Sequence, residues 1–451
     1  MFVTPSLIIS ADGARENNQY FIDEPGSGEI GQFDLKQLEE KDHEALVPII
    51  RDYLLNTTEP PIAMAMLGYA AYSIIEPFLL YMLHQNRFAL FISGLSGRGK
   101  SHVAGHFYHL FGDFRNVPSW TSAGNSIVKM GNYINGGLLV IDDFKNENVK
   151  EDEALRVFQN YADRNGRARL DRNAALRKTE EMRSGFMATG EHSLTNQAST
   201  VARIVNLEMT AMITEEQKQI NAQVVRAYRL LPGFFPLFIQ QIICADWNTL
   251  SRQCELDIKS FEDAIGSKPN STTVAANHGI LLFSTRLVLE YAFGDRAVAN
   301  EKVELVRQYL LERINVTLED VGSLQSHEKF IQKLRNMFSR GEVAFKQTDG
   351  YGNYVVDVTD NSKAVIIGQI NRNKVVHLDL PNAYDLVCQS SRRMGKDFTY
   401  PLKDLKRDLV QSGIIGEESE SVKVSGRSKR LYRMSKNVFE DIKEPVVPEA
   451  A

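Results

Sequence analysis

Gly94-Leu95-Ser96-Gly97-Arg98-Gly99-Lys100-Ser101 fits the pattern GxxxxGK[ST] at every fixed position. Gly94, Gly97 and Gly99 let the backbone curl so that its N–H groups point at phosphate oxygens. Lys100 adds a positive charge for β- and γ-phosphates, and Ser101 a hydroxyl for Mg²⁺. Further along, Leu138-Leu139-Val140-Ile141 runs into Asp142-Asp143. Two acids leaving the C-terminal end of a buried strand stand where ligands bind in α/β sheets. Asp142 would orient the Mg²⁺ shell, and Asp143 would polarise an attacking water as general base. By itself an Asp-Asp pair reads equally well as a solvated turn; the preceding phosphate loop gives it chemistry.

Two single residues extend the set. Thr189, in Met187-Ala188-Thr189-Gly190-Glu191, ends a third apolar stretch with a hydroxyl that can reach a γ-phosphate or the water. Its plainer reading is a turn or helix-cap residue. Arg203 opens the β-rich run Ile204-Val205-Asn206-Leu207 and can project from a subunit edge towards a neighbour's nucleotide, or be an ordinary ion-paired arginine. No NKxD sequence of the GTPase kind occurs, which favours ATP.

Two basic segments point to a different ligand. Arg164 to Lys178 holds Arg164, Arg167, Arg169, Arg172, Arg177 and Lys178 against the one acid Asp171. It reads as a hairpin about Asn173-Ala174, able to neutralise phosphates without reading bases, with a solvated charged loop as the alternative. From Ser421 to Arg433 stand Lys423, Arg427, Lys429, Arg430 and Arg433 and no acid. Two short strands are expected there, Ser421 to Val424 and Ser428 to Tyr432, about a turn at Ser425-Gly426-Arg427. A wing of this kind contacts a DNA backbone or, alternatively, a protein partner.

The elements that must hold these residues follow from hydrophobic patterning. Phe88 to Ser93, Gly137 to Ile141, Gly185 to Ala188 and Ala202 to Met209 are short apolar runs typical of buried strands. Helices are expected over His102 to Phe111 and Glu151 to Tyr161, the latter with apolar residues at 154, 155, 157, 158 and 161. Strands alternating with helices predict a parallel α/β sheet. At the N-terminus, Phe2 to Thr4 and Tyr20 to Ile22 are β-prone about Asp12-Gly13. The apolar window Pro60 to Leu83 is long enough to span a membrane, but Glu76-Pro77 interrupts it and Pro60-Pro61 opens it, so a buried pair of helices is expected.

Composition narrows the class. With 451 residues, 43% hydrophobic and 24% charged, the chain is neither disordered, nor collagen-like, nor a coiled-coil rod. The net charge of −5 excludes a globally basic nucleic-acid binder, though not the local patches. Cys244, Cys254 and Cys388 form no CxxC pair, so neither a disulfide framework nor a cysteine zinc site is expected, and a reducing cytoplasm is the natural compartment. No leader is legible at Met1 to Ile9, and no membrane partner is expected.

Taken in order, the P-loop, GGLLVIDDF, the basic GRARLDR segment, ATGE (188 to 191) and ARIVNLEM (202 to 209) resemble the AAA+ helicase domain of mobile-element and phage primase-helicases. That family is in turn similar to the minichromosome-maintenance replicative helicases. The resemblance covers most of the chain. It implies hexameric rings around DNA, with ATP and Mg²⁺ held between subunits. By motif, Lys100 and Ser101 become the ATP-contacting pair, Asp142 and Asp143 the metal and water acids, Thr189 the sensor and Arg203 a finger acting in trans. Arg172, Arg177 and Lys178 would line the ring channel. Asp143 departs from the pattern, since the family usually carries Glu there. No primase motif is present, and the region before residue 43 is too short for one.

The expected organisation is an N-terminal extension (1–42), an AAA+ P-loop core (43–212), a helical region (213–325), a winged-helix-like unit (326–441) and a tail (442–451). The expected activity is an ATP-dependent DNA helicase for replication of a phage, plasmid or mobile element. The rival is an AAA+ regulatory or remodelling ATPase that unwinds nothing; a nucleotide kinase fits the chain's length less well.

Overall fold

A computed structural model describes residues 1–20, 33–83, 87–122, 124–144, 151–164, 181–191, 198–267, 270–323, 326–348, 354–357, 364–371, 375–393, 398, 400–424 and 427–435. They form two compact units, Met1–Gly322 and Ser323–Ala451.

The first unit opens with a small antiparallel sheet, β1 (Phe2–Val3), β2 (Leu7–Ser10) and β3 (Gly13–Glu16). The β2–β3 turn falls at Asp12-Gly13, with Ser10 paired to Gly13. Tyr20 lies in no strand, and the rest of that expected run, residues 21 and 22, falls outside the described residues. Next come α1 (Glu40–Pro48), α2 (Pro60–Leu83), β4 (Ala89–Ser93), α3 (Lys100–Tyr108), α4 (Gly124–Tyr133), β5 (Leu138–Phe144), α5 (Glu151–Ala162), β6 (Gly185–Gly190), α6 (Ala198–Val201) and β7 (Ile204–Glu208). Helices complete the unit: α7 (Glu215–Arg226), α8 (Phe235–Cys244), α9 (Trp247–Ile265), α10 (Ser271–Phe293) and α11 (Arg296–Ser323).

Strands β4 to β7 make one parallel sheet in the order β5-β6-β4-β7. Every residue of β4 and β6 is buried, as a parallel sheet covered on both faces requires. The aromatic residues Phe91, Trp120, Phe158 and Phe186 pack around β5 and β6. Segment 118–120 lines the outer side of β5, where Asp142 N–H donates to Pro118 O (2.7 Å) and Trp120 N–H donates to Asp142 O (3.1 Å).

The window 60–83 is one helix rather than the expected pair. It is long and apolar enough to cross a membrane, and most of it is buried inside this unit. Pro77 sits inside α2 without ending it. Glu76, also expected to interrupt, is buried and paired with Arg87, whose Nε donates to Oε1. Pairing removes the cost of an isolated buried carboxylate. Helix α10 crosses α2 at Gly68, where an added Cβ would stand 2.8 Å from Thr285 Cα, so only glycine lets the two backbones meet.

The second unit comprises α12 (Ser326–Ser339), β8 (Val343–Thr348), β9 (Tyr354–Asp357), β10 (Val365–Ile370), β11 (Val376–Leu378), α13 (Leu380–Arg393), α14 (Leu402–Gln411), β12 (Ile415–Val424) and β13 (Arg427–Met434). Its six-stranded sheet has the order β12-β13-β11-β10-β8-β9. Phe330, Leu334, Phe345, Leu405 and Leu409 are in its core. The β12–β13 hairpin is longer than the sequence predicts, and Arg427 belongs to β13, paired with Val424, instead of to the turn.

Candidate nucleotide site and basic surfaces

The parallel registers bring the C-terminal ends of four strands together. Ser93 pairs with both Gly190 and Glu208, and Phe144 pairs with Gly190. The loop 94–99 leaves this edge directly from β4. Its glycines adopt positive φ: 150° at Gly94, 80° at Gly97 and 79° at Gly99, which caps α3. A side chain would be strained at each. The loop therefore turns back over the start of α3, whose first amides and positive dipole end face the same point. Lys100 is largely buried, and its Nζ donates to Leu95 O at 2.9 Å, so its ammonium lies against the loop. Ser101, the next residue of α3, is exposed.

Strand β6 separates the P-loop strand β4 from the acid-bearing strand β5, placing them two inter-strand spacings apart, about 9.5 Å. The acids lie on a distortion. Pairing jumps from Ile141↔Ala188 to Phe144↔Gly190, so Asp142 and Asp143 are accommodated opposite Thr189 alone. Such a bulge re-aims side chains at a strand end. Asp143 has φ 62°, a left-handed conformation that an L residue holds only when its surroundings impose it. The surroundings here are Thr189: Asp143 N–H donates to Thr189 Oγ1 (3.1 Å), and Thr189 Oγ1 donates to Asp142 Oδ1. One buried hydroxyl thus holds one carboxylate by its oxygen and the other by its backbone. Both acids are half-exposed at the mouth of the edge.

Arg203 lies in the turn before β7 instead of opening the strand. Because β4 and β7 run parallel from Ala89↔Ile204 to Ser93↔Glu208, Arg203 and its own P-loop stand at opposite ends of the sheet, about 13 Å apart along the strands. Its Nη2 pairs with Asp163 Oδ1 at 2.9 Å. Within one subunit the geometry brings Lys100, Asp142, Asp143 and Thr189 to one edge and leaves Arg203 off it.

Arg172, Arg177 and Lys178 lie outside the described residues, but both roots of that segment are described. Arg164 Nη2 donates to Glu76 Oε1 (3.1 Å), and Arg87 Nη1 donates to Glu181 Oε1 (3.3 Å) and to Met182 O. On the second unit's hairpin, Lys429 pairs with Asp379 at 2.9 Å, Arg430 is exposed, and Lys406 of α14 lies 5.0 Å from the Tyr432 ring centroid. The side chains of Lys423 and Arg427 fall outside the described residues.

Sequence reasoning missed several residues that close the edge from elsewhere in the chain. Arg313 of α11 pairs with Glu208 at 2.7 Å, and Glu208 N–H donates to Tyr309 Oη (2.9 Å). Glu59, just before α2, accepts from Ala211 N–H (3.1 Å). His106 of α3 is fully buried between Tyr228 and Asn221. Only the spacing of His102 and His106 along α3 and of His109 just beyond it gave a local signal; the other contacts join residues about a hundred or more positions apart.

No protein-family profile and no curated protein matches the chain. Among solved structures, "SCCmec type IV Cch - active helicase" aligns with a TM-score of 0.65 at 15% identity, over 97% of this chain and 78% of that one. The C-terminal region of NrS-1 in its apo A form (9% identity, 60% of this chain, 71% of that one) and JCV helicase bound to an N-aryl acetamide (14%, 53%, 74%) align with TM-scores of only 0.27 and 0.24. Over nearly its whole length, then, this chain has the fold of a solved SCCmec helicase.

Proposed function

We propose that the chain is an ATP-driven DNA helicase whose AAA+ core works in a ring, a hexamer with ATP bound between subunits. The observation that carries the reading is the Thr189-centred arrangement of Asp142 and Asp143, one strand away from a complete P-loop. The strand inserted between loop and acids supports an AAA+ assignment. In the second unit, β11, α13, α14 and the β12–β13 hairpin follow in the order of a winged helix, with β11 paired to β13, which supports that assignment too.

The donor set suits Mg²⁺. A hydroxyl (Ser101) and a carboxylate (Asp142) are hard oxygen ligands, and no cluster of three or more His, Cys, Asp or Glu among the described residues would compete as an all-protein metal cage. Bound there with ATP, Mg²⁺ would neutralise charge on the β- and γ-phosphates. The chain's own residues do the rest. The loop amides and Lys100 bind the phosphates, Asp142 orients the metal's coordination shell, and Asp143 accepts a proton from the attacking water. Thr189 keeps both acids in place. Arg203 is too far from its own loop to assist, which suits a role at a neighbouring subunit. The finger must then exchange Asp163 for a phosphate.

Arg172, Arg177 and Lys178 would track the DNA backbone inside the ring, and Lys423, Arg427, Lys429 and Arg430 of the hairpin would also contact a DNA backbone. Replication of a phage, plasmid or mobile element is the process such an enzyme would serve, in the cytoplasm. The rival, an ATPase remodelling proteins, shares the nucleotide site and lacks the DNA step. Purified protein decides between them: DNA should stimulate ATP hydrolysis, and forked DNA should be unwound with ATP and Mg²⁺. Hydrolysis indifferent to DNA, with no unwinding, would select the remodeller.

A further inference from the structure

The P-loop is covered from one side by the segment leaving β7. Met209 N–H donates to Ser93 O at 2.8 Å, and a Cβ on Gly94 would stand 2.5 Å from Met209 O. Ile213 rests on Gly99, where an added Cβ would be 2.1 Å from Cδ1. Between them Ala211 N–H is held by Glu59 (3.1 Å). Thr214 then starts α7 through a reciprocal capping box with Gln217. Residues 209–214 thus touch the first and last glycines of the loop.

The same α7 is tied to α3, the helix the loop feeds, by one buried side chain. His106 Nε2 lies 2.6 Å from Asn221 Oδ1, and His106 Nδ1 lies 2.7 Å from Tyr228 Oη. The direction of each bond follows from Asn221. Its Nδ2 donates to Thr57 O (3.1 Å) and Gln217 O (2.6 Å), which leaves Oδ1 as the acceptor. Nε2–H of His106 therefore donates to Asn221, and Nδ1 accepts from the Tyr228 hydroxyl. The imidazole is neutral and in one tautomer. Burial, with His102 on the same helix and His109 just after its end, favours that neutral form. Tyr228 is fixed in turn by stacking on His109, ring centroids 3.6 Å apart. Four pieces meet here: α3, α7, the turn at Tyr228 and the entry to α2 beside Glu59.

We infer that His106 is a positioning residue for nucleoside triphosphate: by locking α3 to α7 it keeps the 209–214 segment seated on the P-loop, and phosphate affinity depends on that lock. This rests on the P-loop reading above. It assigns His106 no contact with the nucleotide or the reacting atoms. A satisfied buried network of this kind is costly to break at a single member, because the remaining partners stay desolvated.

The test uses the full chain and a fluorescent ADP analogue with Mg²⁺, together with steady-state ATP hydrolysis. Tyr228→Phe removes one donor and keeps the stacking ring. His106→Leu removes both bonds. His106→Gln can restore both, accepting through Oε1 and donating through Nε2. Leu409→Val, in the core of the second unit, is the control for thermal destabilisation away from the loop. Tyr228→Phe and His106→Leu should weaken ADP binding and raise KM for ATP about five- to twenty-fold, the scale of one or two buried hydrogen bonds. Their kcat should change less, His106→Gln should recover most of the affinity, and Leu409→Val should leave it unchanged. Wild-type affinity in Tyr228→Phe, or an equal loss in Leu409→Val, overturns the proposal. Should His106→Leu fail to fold, Tyr228→Phe decides alone. Absence of binding by the wild type would instead overturn the P-loop reading, and this inference with it.

Discussion

Thr189→Val is the sharpest probe of the candidate site, because it changes one hydroxyl to a methyl of the same shape in a fully buried position. The hydroxyl makes two bonds, donating to Asp142 Oδ1 and accepting from Asp143 N–H. Losing a hydrogen bond to a charged acceptor costs about 1.5–3 kcal/mol, and an orphaned backbone donor adds to that unless water reaches it. Asp143 can also relax from its left-handed backbone, recovering part of about 1–3 kcal/mol of strain. A net loss of about 2–4 kcal/mol follows. At an unfolding entropy of about 2.1 cal/mol/K per residue, a unit spanning Met1–Gly322 should then melt about 3–6 °C lower. Relaxation of Asp143 moves the proposed base, so kcat should fall about 10²-fold, the scale of losing one positioned polar group in an active site. Thr189→Ser keeps the hydroxyl and should retain kcat within a few-fold. Scanning fluorimetry and ATP hydrolysis read both quantities. Unchanged melting and turnover in Thr189→Val would refute the idea that this hydroxyl organises the acid pair.

Lys100→Ala should abolish ATP hydrolysis, measured by phosphate release, because its ammonium lies against the loop. Arg203→Ala should bind nucleotide but not hydrolyse it, and mixing it with Lys100→Ala subunits should restore activity where an intact loop meets an intact arginine; co-assembled rings without recovery would exclude the trans role. Replacing Arg172, Arg177 and Lys178 together by Ala should abolish unwinding of forked DNA, spare most DNA-independent hydrolysis and shallow the salt dependence of DNA binding by up to about three phosphate contacts. Burial pushes His106 down to about 3 and His278 to about 4, so below the unfolded value of about 6.5 the unfolded chain binds more protons than the folded one. Stability should therefore fall as pH drops from about 6.5 towards 4, by up to about 1.4 kcal/mol per pH unit for each histidine, and His106→Gln should flatten the urea-midpoint slope.

The parallel sheet was legible because its strands are short, mostly apolar runs, a pattern that survives without knowledge of neighbours. Local spacing also placed the glycine loop and the acids at strand ends. What local spacing cannot carry is register. The bulge at Asp142-Asp143 exists only because Phe144 pairs with Gly190, a relation between strands about 46 positions apart. The same limit explains Pro60 to Leu83. Glu76 and Pro77 read as an interruption because nothing nearby in sequence neutralises the acid; its partners are Arg87 and Arg164. Arg203 looked like a strand residue because a β-rich run follows it directly, whereas the chain turns at 202–203 before pairing starts.

The ion pairs that sequence could not show are the ones that join the two proposed chemistries. Asp163, which holds Arg203, is followed directly by Arg164, which holds buried Glu76. Glu76 also binds Arg87, two residues before the P-loop strand, and Arg87 reaches Glu181 and Met182 where the basic segment returns. A buried carboxylate among arginines does little for stability compared with an apolar replacement, but removing one member strands the others. Its effect here is to fix the roots of segment 165–180 to the base of the sheet. An exchange of Asp163 for a neighbour's phosphate by Arg203 would be felt one residue away at Arg164, and so at that root. Under the proposed function, contact of this segment with DNA and the state of the adjacent nucleotide would bias one another through Asp163, Arg164 and Glu76, without any change in the P-loop of the same subunit.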